Sequence, residues 1–275
     1  MKKIIYGIVT FRESFWETDV FINIIKQIDE QESLERPTIF IYDNTDLEDW
    51  NIFKEYQQND FIEVIYNHNS ENVGISKAYN TIALFAKENG FDYILFLDQD
   101  TELPLNFLSE YTNMLEKNVD IAAPLIYEGE KLLSPAGYKN YRSSSYKKIE
   151  SNVIRLKNNS CINSGLLIRT VFFEKVGGYN EKLRLDFCDH EFIKRVSHFT
   201  KDLNIIPVKL KQNFSTNTNP SDKALFRYSL FTKDVEAFKR INNGDLRITF
   251  FVDLPHLIRL TLQYRSLAFI KQRLF

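Results

Sequence analysis

The chain has 275 residues, 44% hydrophobic and 14% aromatic, with a formal net charge of -2. That apolar content suits one large core and argues against disorder. Near neutrality, with no basic run before the C-terminus, excludes general nucleic-acid binding. Cys161 and Cys188 match no zinc or redox spacing and read as reduced thiols. The opening MKKIIYGIVTFRES is basic and then apolar, but it ends at Arg12-Glu13 without a small-residue cleavage site. It is therefore expected to be a first strand and not a leader. No apolar stretch approaches the roughly 18 residues that span a bilayer, so a cytoplasmic protein is expected.

The first half alternates strand and helix. Residues 3–11 form a β-rich run, and 16–28 place Phe21, Ile24, Ile25 and Ile28 on one helical side. A strand over 38–44 opens after Pro37, a polar helix is expected over 46–58, and a strand over 61–66 follows. Polar residues lead into a helix over 75–87, then a buried strand over 93–100 ends in acids. This order predicts a mostly parallel sheet with helices on both faces. Ligands bind beyond the carboxyl ends of such strands, which puts Thr10, Asp43, Asn44, Asp98 and Asp100 on one rim. In the second half, residues 127–160 read as a meander or mobile loop. A strand over 162–169, a short helix, a break at Gly177-Gly178, and helices over 188–199 and 222–241 follow.

The sharpest local signal is Asp98-Gln99-Asp100 at the end of an apolar strand. Side chains alternate along a strand, so carboxylates one residue apart leave on the same side and can share a hard divalent cation. Alone, an Asp-x-Asp also suits a solvated turn, but carboxylates on a central strand need a partner. A second acidic group, Asp186, Asp189 and Glu191, precedes a helical pattern. It fits a general base for an acceptor hydroxyl, and equally an N-cap, with Asp189 favoured by the helix dipole. Asn72 and Gly74 suit a tight turn into the helix that carries Asn80. Its free N–H groups could meet a phosphate, or simply be capped.

In this order these segments resemble the GT-A glycosyltransferases of family 2, inverting enzymes that use nucleotide-sugar donors. The resemblance runs from about Ile4 to Ser215: Val9-Thr10-Phe11, Asp43-Asn44, Asn72 to Asn80, Asp98-Gln99-Asp100, Asn163-Ser164-Gly165, and Asp189-His190-Glu191 with Arg195. The wording around Phe96–Thr101 and Leu185–Phe192 looks most like the bacterial rhamnosyltransferase branch, which uses dTDP-L-rhamnose in cell-surface polysaccharide synthesis.

The resemblance implies a GT-A (Rossmann-like) catalytic domain over 1–220, with a nucleotide-binding half (1–100), an acceptor half (101–220) and a C-terminal helical extension over 221–275. It implies Asp189 as base, and Asp186, Glu191 and Arg195 supporting the acceptor site. Donor contacts fall to Thr10, Phe11, Asp43, Asn72, Gly74, Asn80, Asp98, Gln99, Asn163, Ser164 and Gly165. Mg²⁺ or Mn²⁺ would be held by Asp100 with Asp98. The implied partners are a dTDP- or UDP-sugar donor and a glycan or lipid-linked acceptor. One departure stands out: many relatives carry a metal-ligating His where this chain has Lys209–Ser215, leaving Gln212 or Asn213 as a substitute ligand, or Lys211 to neutralise phosphate. His190 is expected to be structural.

Two rivals remain open. A sugar nucleotidyltransferase normally needs a Gly-rich, Arg-containing loop after the first strand, and residues 9–13 contain no glycine. A non-catalytic nucleotide-sugar-binding module would have no use for both Asp100 and Asp189. The tail over 256–275 carries four Lys/Arg, no acids and apolar residues at mostly helical spacing. It suits a helix on an anionic membrane surface. It suits equally a helix packed on the catalytic domain, or on another subunit in a homo-oligomer.

Overall fold

The computed structural model describes residues 2–30, 36–46, 61–212 and 221–274. Strands β1 (Ile4–Thr10), β2 (Thr38–Asp43), β3 (Glu63–His68) and β4 (Tyr93–Asp98) run parallel in the order β3-β2-β1-β4. Helix α1 (Asp19–Glu30) follows β1, and α2 (Ile75–Glu88) links β3 to β4. The helix expected over 46–58 falls almost wholly outside the described residues. Beyond β4 come β5 (Thr101–Glu102), α3 (Phe107–Glu116) and β6 (Ile121–Glu128).

The stretch read as a meander or mobile loop is built of short strands: β7 (Lys131–Ser134), β8 (Ala136–Lys139), β9 (Arg142–Ser144), β10 (Val153–Arg155) and β11 (Asn159–Ser160). Three of them form a separate small sheet, in the order β11-β8-β9. Next, β12 (Leu166–Arg169) inserts antiparallel between β4 and β6, while β13 (Asp202–Gln212) lies parallel to β6. The main sheet is thus parallel on one half and mixed on the other. Strand β12 is shorter than the expected 162–169. Gly165 adopts φ +76 and Leu166 N–H donates to Asn163 O at 2.9 Å, so Asn163-Ser164-Gly165 forms a turn before the ladder begins.

Near-continuous apolar strands imply a sheet covered on both sides, and burial alternates accordingly. Ile5, Val9, Ile94 and Phe96 face one cluster with α2, whereas Tyr6, Ile8, Leu95 and Leu97 face the other with α1 and α3. Helices α4 (Thr170–Val176) and α5 (Cys188–Val196) join the first cluster. The C-terminal region follows as α6 (Ser221–Ile241), α7 (Leu246–Ile248), a π-helical stretch (Thr249–Asp253), α8 (Leu254–Tyr264) and α9 (Ala268–Leu274). Tyr228, Phe238, Leu260 and Phe269 belong to the same cluster as α2 and α5, so these helices share the core of the sheet. The expected single tail helix is broken: Arg265 sits in the left-handed region (φ 48), and α8 and α9 fold back on each other around buried Phe269. Among the described residues no helix is long and apolar enough to cross a membrane.

Candidate active site

The sheet delivers its acids to one rim because β1, β2 and β4 all end there. Asp98 is the last residue of β4, and Gln99 and Asp100 turn away from it. Tyr79, from the buried side of α2, donates to Asp98 Oδ1 at 2.6 Å. Gln212, the last residue of β13, reaches from across the sheet; its Nε2 lies 3.4 Å from Asp98 Oδ2 and 3.3 Å from Asp100 Oδ1. The other amide atom, Gln212 Oε1, is buried without a partner. Burial pushes the Asp98 carboxyl up to about 6; the nearby Asp100 and Asp189 charges push the same way, against the hydrogen bonds from Tyr79 and Gln212. Burial also raises Asp100 above the usual carboxylate range.

Asp98 and Asp189 are 91 positions apart in sequence, yet the Asp189 charge adds to the upward push on Asp98 as the smallest of its causes. A chain of contacts connects them. Tyr79 lies against Tyr179 with ring centroids 5.7 Å apart. Tyr179 donates to Asn163 Oδ1 at 2.8 Å, and Asn163 Nδ2 contacts Cys188 Sγ, next to Asp189, at 3.6 Å. Ser164 adds a brace, with its Oγ 2.5 Å from Thr101 Oγ1 and accepting from Asp98 N–H at 3.3 Å. At Gly165, a Cβ would lie 2.5 Å from Pro124 Cγ and 2.7 Å from Leu210 Cδ1, so both the positive φ and the close approach require glycine.

The three acids of the second group separate. Asp186 forms a two-pronged ion pair with Arg227 of α6 (2.6 and 2.7 Å). Glu191 is buried and paired through both oxygens with Arg195 at 2.8 Å, and Arg195 also donates to Val176 O. Through Arg195, Glu191 is tied to the junction of α4 and α5. Asp189 has no Lys or Arg partner among the described residues; its Oδ1 accepts from His190 N–H at 2.6 Å. It is not the cap residue of α5 either, because that place belongs to Phe187. His190 is held by Ser160 (2.7 Å) and Ser143 (3.2 Å) and stacks on Tyr138, tying α5 to the small sheet.

Several of the expected donor contacts make internal hydrogen bonds that brace the rim. Asn80 donates to Tyr179 O and Glu181 and accepts from Tyr179 N–H, holding the turn after Gly178. The N-terminus of α2 is closed: Ile75 N–H donates to Arg184 O at 2.6 Å and Ser76 Oγ donates to Leu183 O. Gly74, at φ +87, permits that closeness, since a Cβ would lie 2.6 Å from Arg184 O. Asn72 accepts from the Arg184 guanidinium through its carbonyl and from Gly74 N–H through its side chain. Asp43 is wholly buried, accepting from Thr45 N–H and hydroxyl (3.0 and 2.5 Å) and from Tyr66 (2.7 Å). Gln99 braces the loop after β1, accepting from Phe11 N–H at 2.6 Å and donating to Glu13. Thr10 Oγ1 is buried and unpaired. Lys211 pairs with Glu102, while Asn213 lies outside the described residues.

Sequence reasoning missed Tyr79, Tyr179, Arg227 and Asp234. Asp234 accepts from the N–H groups of Arg184, Leu185 and Asp186, fixing the loop before Asp189. Nothing local in a helix residue 45 positions after Asp189 signals that role. A separate cavity of about 700 Å³, lined by Tyr6, Arg36, Leu108 and Tyr111 among others, opens at the opposite ends of the strands and contains none of these acids.

Residues 8–177 match the family model Glycosyl transferase family 2. The chain belongs to this family. It is 27% identical over 139 residues to the dTDP-rhamnosyl transferase RfbF of Shigella flexneri, covering 50% of this chain and 47% of that protein, so it spans about half the length of that curated relative. Among solved structures, GalNAc-T7 with UDP, GalNAc and Mn²⁺ aligns with a TM-score of 0.61 at 14% identity, covering 90% of this chain and 56% of that one. TarS of S. aureus (residues 1–349, with UDP-GlcNAc) aligns at 0.57 and 11% identity, covering 98% and 79%. The fold is thus the GT-A arrangement, a mostly parallel sheet between helices.

Removing Arg195 leaves the buried Glu191 carboxylate without its ion pair, a loss that costs about 3–5 kcal/mol. Arg195→Ala should lower the urea midpoint of unfolding accordingly; an unchanged midpoint would contradict the bracing role.

Proposed function

We propose that the chain transfers a sugar from a dTDP- or UDP-sugar to a hydroxyl of a glycan or lipid-linked acceptor, with inversion at the anomeric carbon. Family membership supports glycosyl transfer, and the likeness to RfbF favours rhamnose carried on dTDP in polysaccharide assembly. The observation that carries the mechanism is the chain of contacts from Asp98 through Tyr79, Tyr179 and Asn163 to Cys188, beside Asp189, which has no Lys or Arg partner among the described residues. Asp189 takes the proton of the acceptor hydroxyl as its oxygen attacks, a contribution of about 10²–10⁴-fold. Residues 1–100 would hold the nucleotide, with Thr10, Phe11 and Asp43 shaping its floor, and 101–220 the acceptor.

A hard cation such as Mg²⁺ or Mn²⁺ wants oxygen ligands and keeps some water and substrate phosphate. Asp98 and Asp100 offer carboxylates on one side of a rim, and the orphaned Gln212 Oε1 needs only an amide flip to supply a third oxygen. Among the described residues no group of three or more His, Cys, Asp or Glu could do so instead. When bound, the cation would offset charge developing on the leaving diphosphate.

Asp189→Asn and Asp100→Ala should each lower sugar transfer at least about 100-fold with Mn²⁺ present; near-normal turnover by either removes the assignment. Product analysis separates the rivals: transfer frees the nucleotide diphosphate, a nucleotidyltransferase makes pyrophosphate, and a binding module makes neither.

Gln212→Leu should weaken Mn²⁺ binding about tenfold, whereas Gln212→His should preserve it. If Gln212 only donates to the carboxylates, the leucine variant binds Mn²⁺ more tightly, and calorimetry reads that sign directly.

Because the Asp98 carboxyl is raised to about 6, Mn²⁺ affinity should fall as pH drops through that value and the site gains a proton. In the cation-free protein the sign reverses: the raised carboxyl adds stability that is fully present below the usual carboxylate range and lost as pH rises through about 6. Melting curves with and without Mn²⁺ between pH 4 and 8 measure both.

A further inference from the structure

The C-terminal helices bury one face in the core, through Ile248, Leu260 and Phe269, and leave another uncovered. On that outer face Leu246, Phe250, Leu254, Ile258 and Leu262 are all between 40% and 71% exposed. They recur every four residues. In an unbroken α-helix such a series drifts about 40° per step, and would wind off the face within two turns. A π-helical turn at Thr249–Asp253 lies within the series, and its larger number of residues per turn offsets part of that drift between α7 and α8.

The charges around the stripe have one sign. Between Leu246 and Leu274 the only acid is Asp253, which is buried and claimed by Lys239 and Arg273. Arg259, Arg265 and Lys271 are exposed and have no carboxylate partner among the described residues, although the chain as a whole is slightly acidic. A two-fold contact between copies would set these cations against themselves. An anionic surface with an apolar interior complements both features.

We propose that the stripe from Leu246 to Leu262, fringed by Arg259, Arg265 and Lys271, is a docking face for an anionic phospholipid bilayer. Apolar side chains enter the headgroup boundary while the cations meet lipid phosphates. This places the membrane contact across α7 and α8, beginning well before the tail expected from sequence, and it stands whether or not the sugar-transfer assignment holds.

The test is sedimentation of the full chain with vesicles of phosphatidylcholine alone or mixed with phosphatidylglycerol. Sedimentation is expected with the mixed vesicles and should weaken with salt. Arg259→Gln, Arg265→Gln and Lys271→Gln together should lower the affinity about 100-fold. Phe250→Ser, Ile258→Ser and Leu262→Ser together should lower it at least tenfold, with the melting temperature unchanged. Protein that remains in the supernatant with both vesicle types overturns the proposal. So does vesicle binding that survives the serine substitutions, and so does a dimer in vesicle-free solution that those substitutions turn into monomers.

Discussion

Carboxylates repel one another, and a fold that gathers several at one rim must either neutralise them or hold them apart by other means. This chain does both, in different places. Asp186, Glu191 and Asp253 each receive an arginine through two of its nitrogens. Asp98 and Asp100 receive only a tyrosine hydroxyl and a glutamine amide, neutral donors that orient a carboxylate without cancelling its charge. Burial raises the Asp98 carboxyl most, and the Asp100 and Asp189 charges add to that push, so the rim is poised to take a cation or a proton.

Holding that region together requires the two halves of the sequence to agree on position. An aromatic layer does much of this: Tyr79, Phe96, Phe173, Tyr179 and Phe192 lie ring to ring between α2, β4, α4 and α5. Stiff planar side chains fill space with few rotamers, so they transmit position well. Around this layer the loop before Asp189 is pinned from two sides. Its carbonyls at Leu183 and Arg184 close the start of α2, and its N–H groups converge on Asp234 of α6. The C-terminal helices therefore help to position Asp189 while presenting a different face outward.

The segments read as donor contacts also show bracing that spacing alone does not reveal. Asn72, Gly74 and Asn80 lie on a helix start that looks open in sequence, and Arg184 closes it from more than a hundred residues away. Glu191 and Arg195, four apart on one helix, are adjacent in any helical reading. Only the tertiary structure reveals that Arg195 also braces α4 through Val176 O. The sequence offers Gln212, Asn213 or Lys211 where relatives place a histidine, and the reach of Gln212 to both Asp98 and Asp100 depends on the pairing of β13 with β5 and β6.

What the sequence by itself determined is what local periodicity and chain order control: the alternating strands and helices of the first half, a sheet covered on both faces, and acids at the carboxyl end of β4. Those follow from side-chain alternation and apolar runs, which are properties of neighbouring residues. Which acid stays free, how Tyr79 and Tyr179 join the two acidic groups, and which face of the C-terminal helices remains bare were decided only by tertiary structure. Asp186 waits on Arg227, 41 positions away, and Tyr79 on Tyr179, 100 positions away, and no local pattern encodes which distant guanidinium or aromatic ring will arrive.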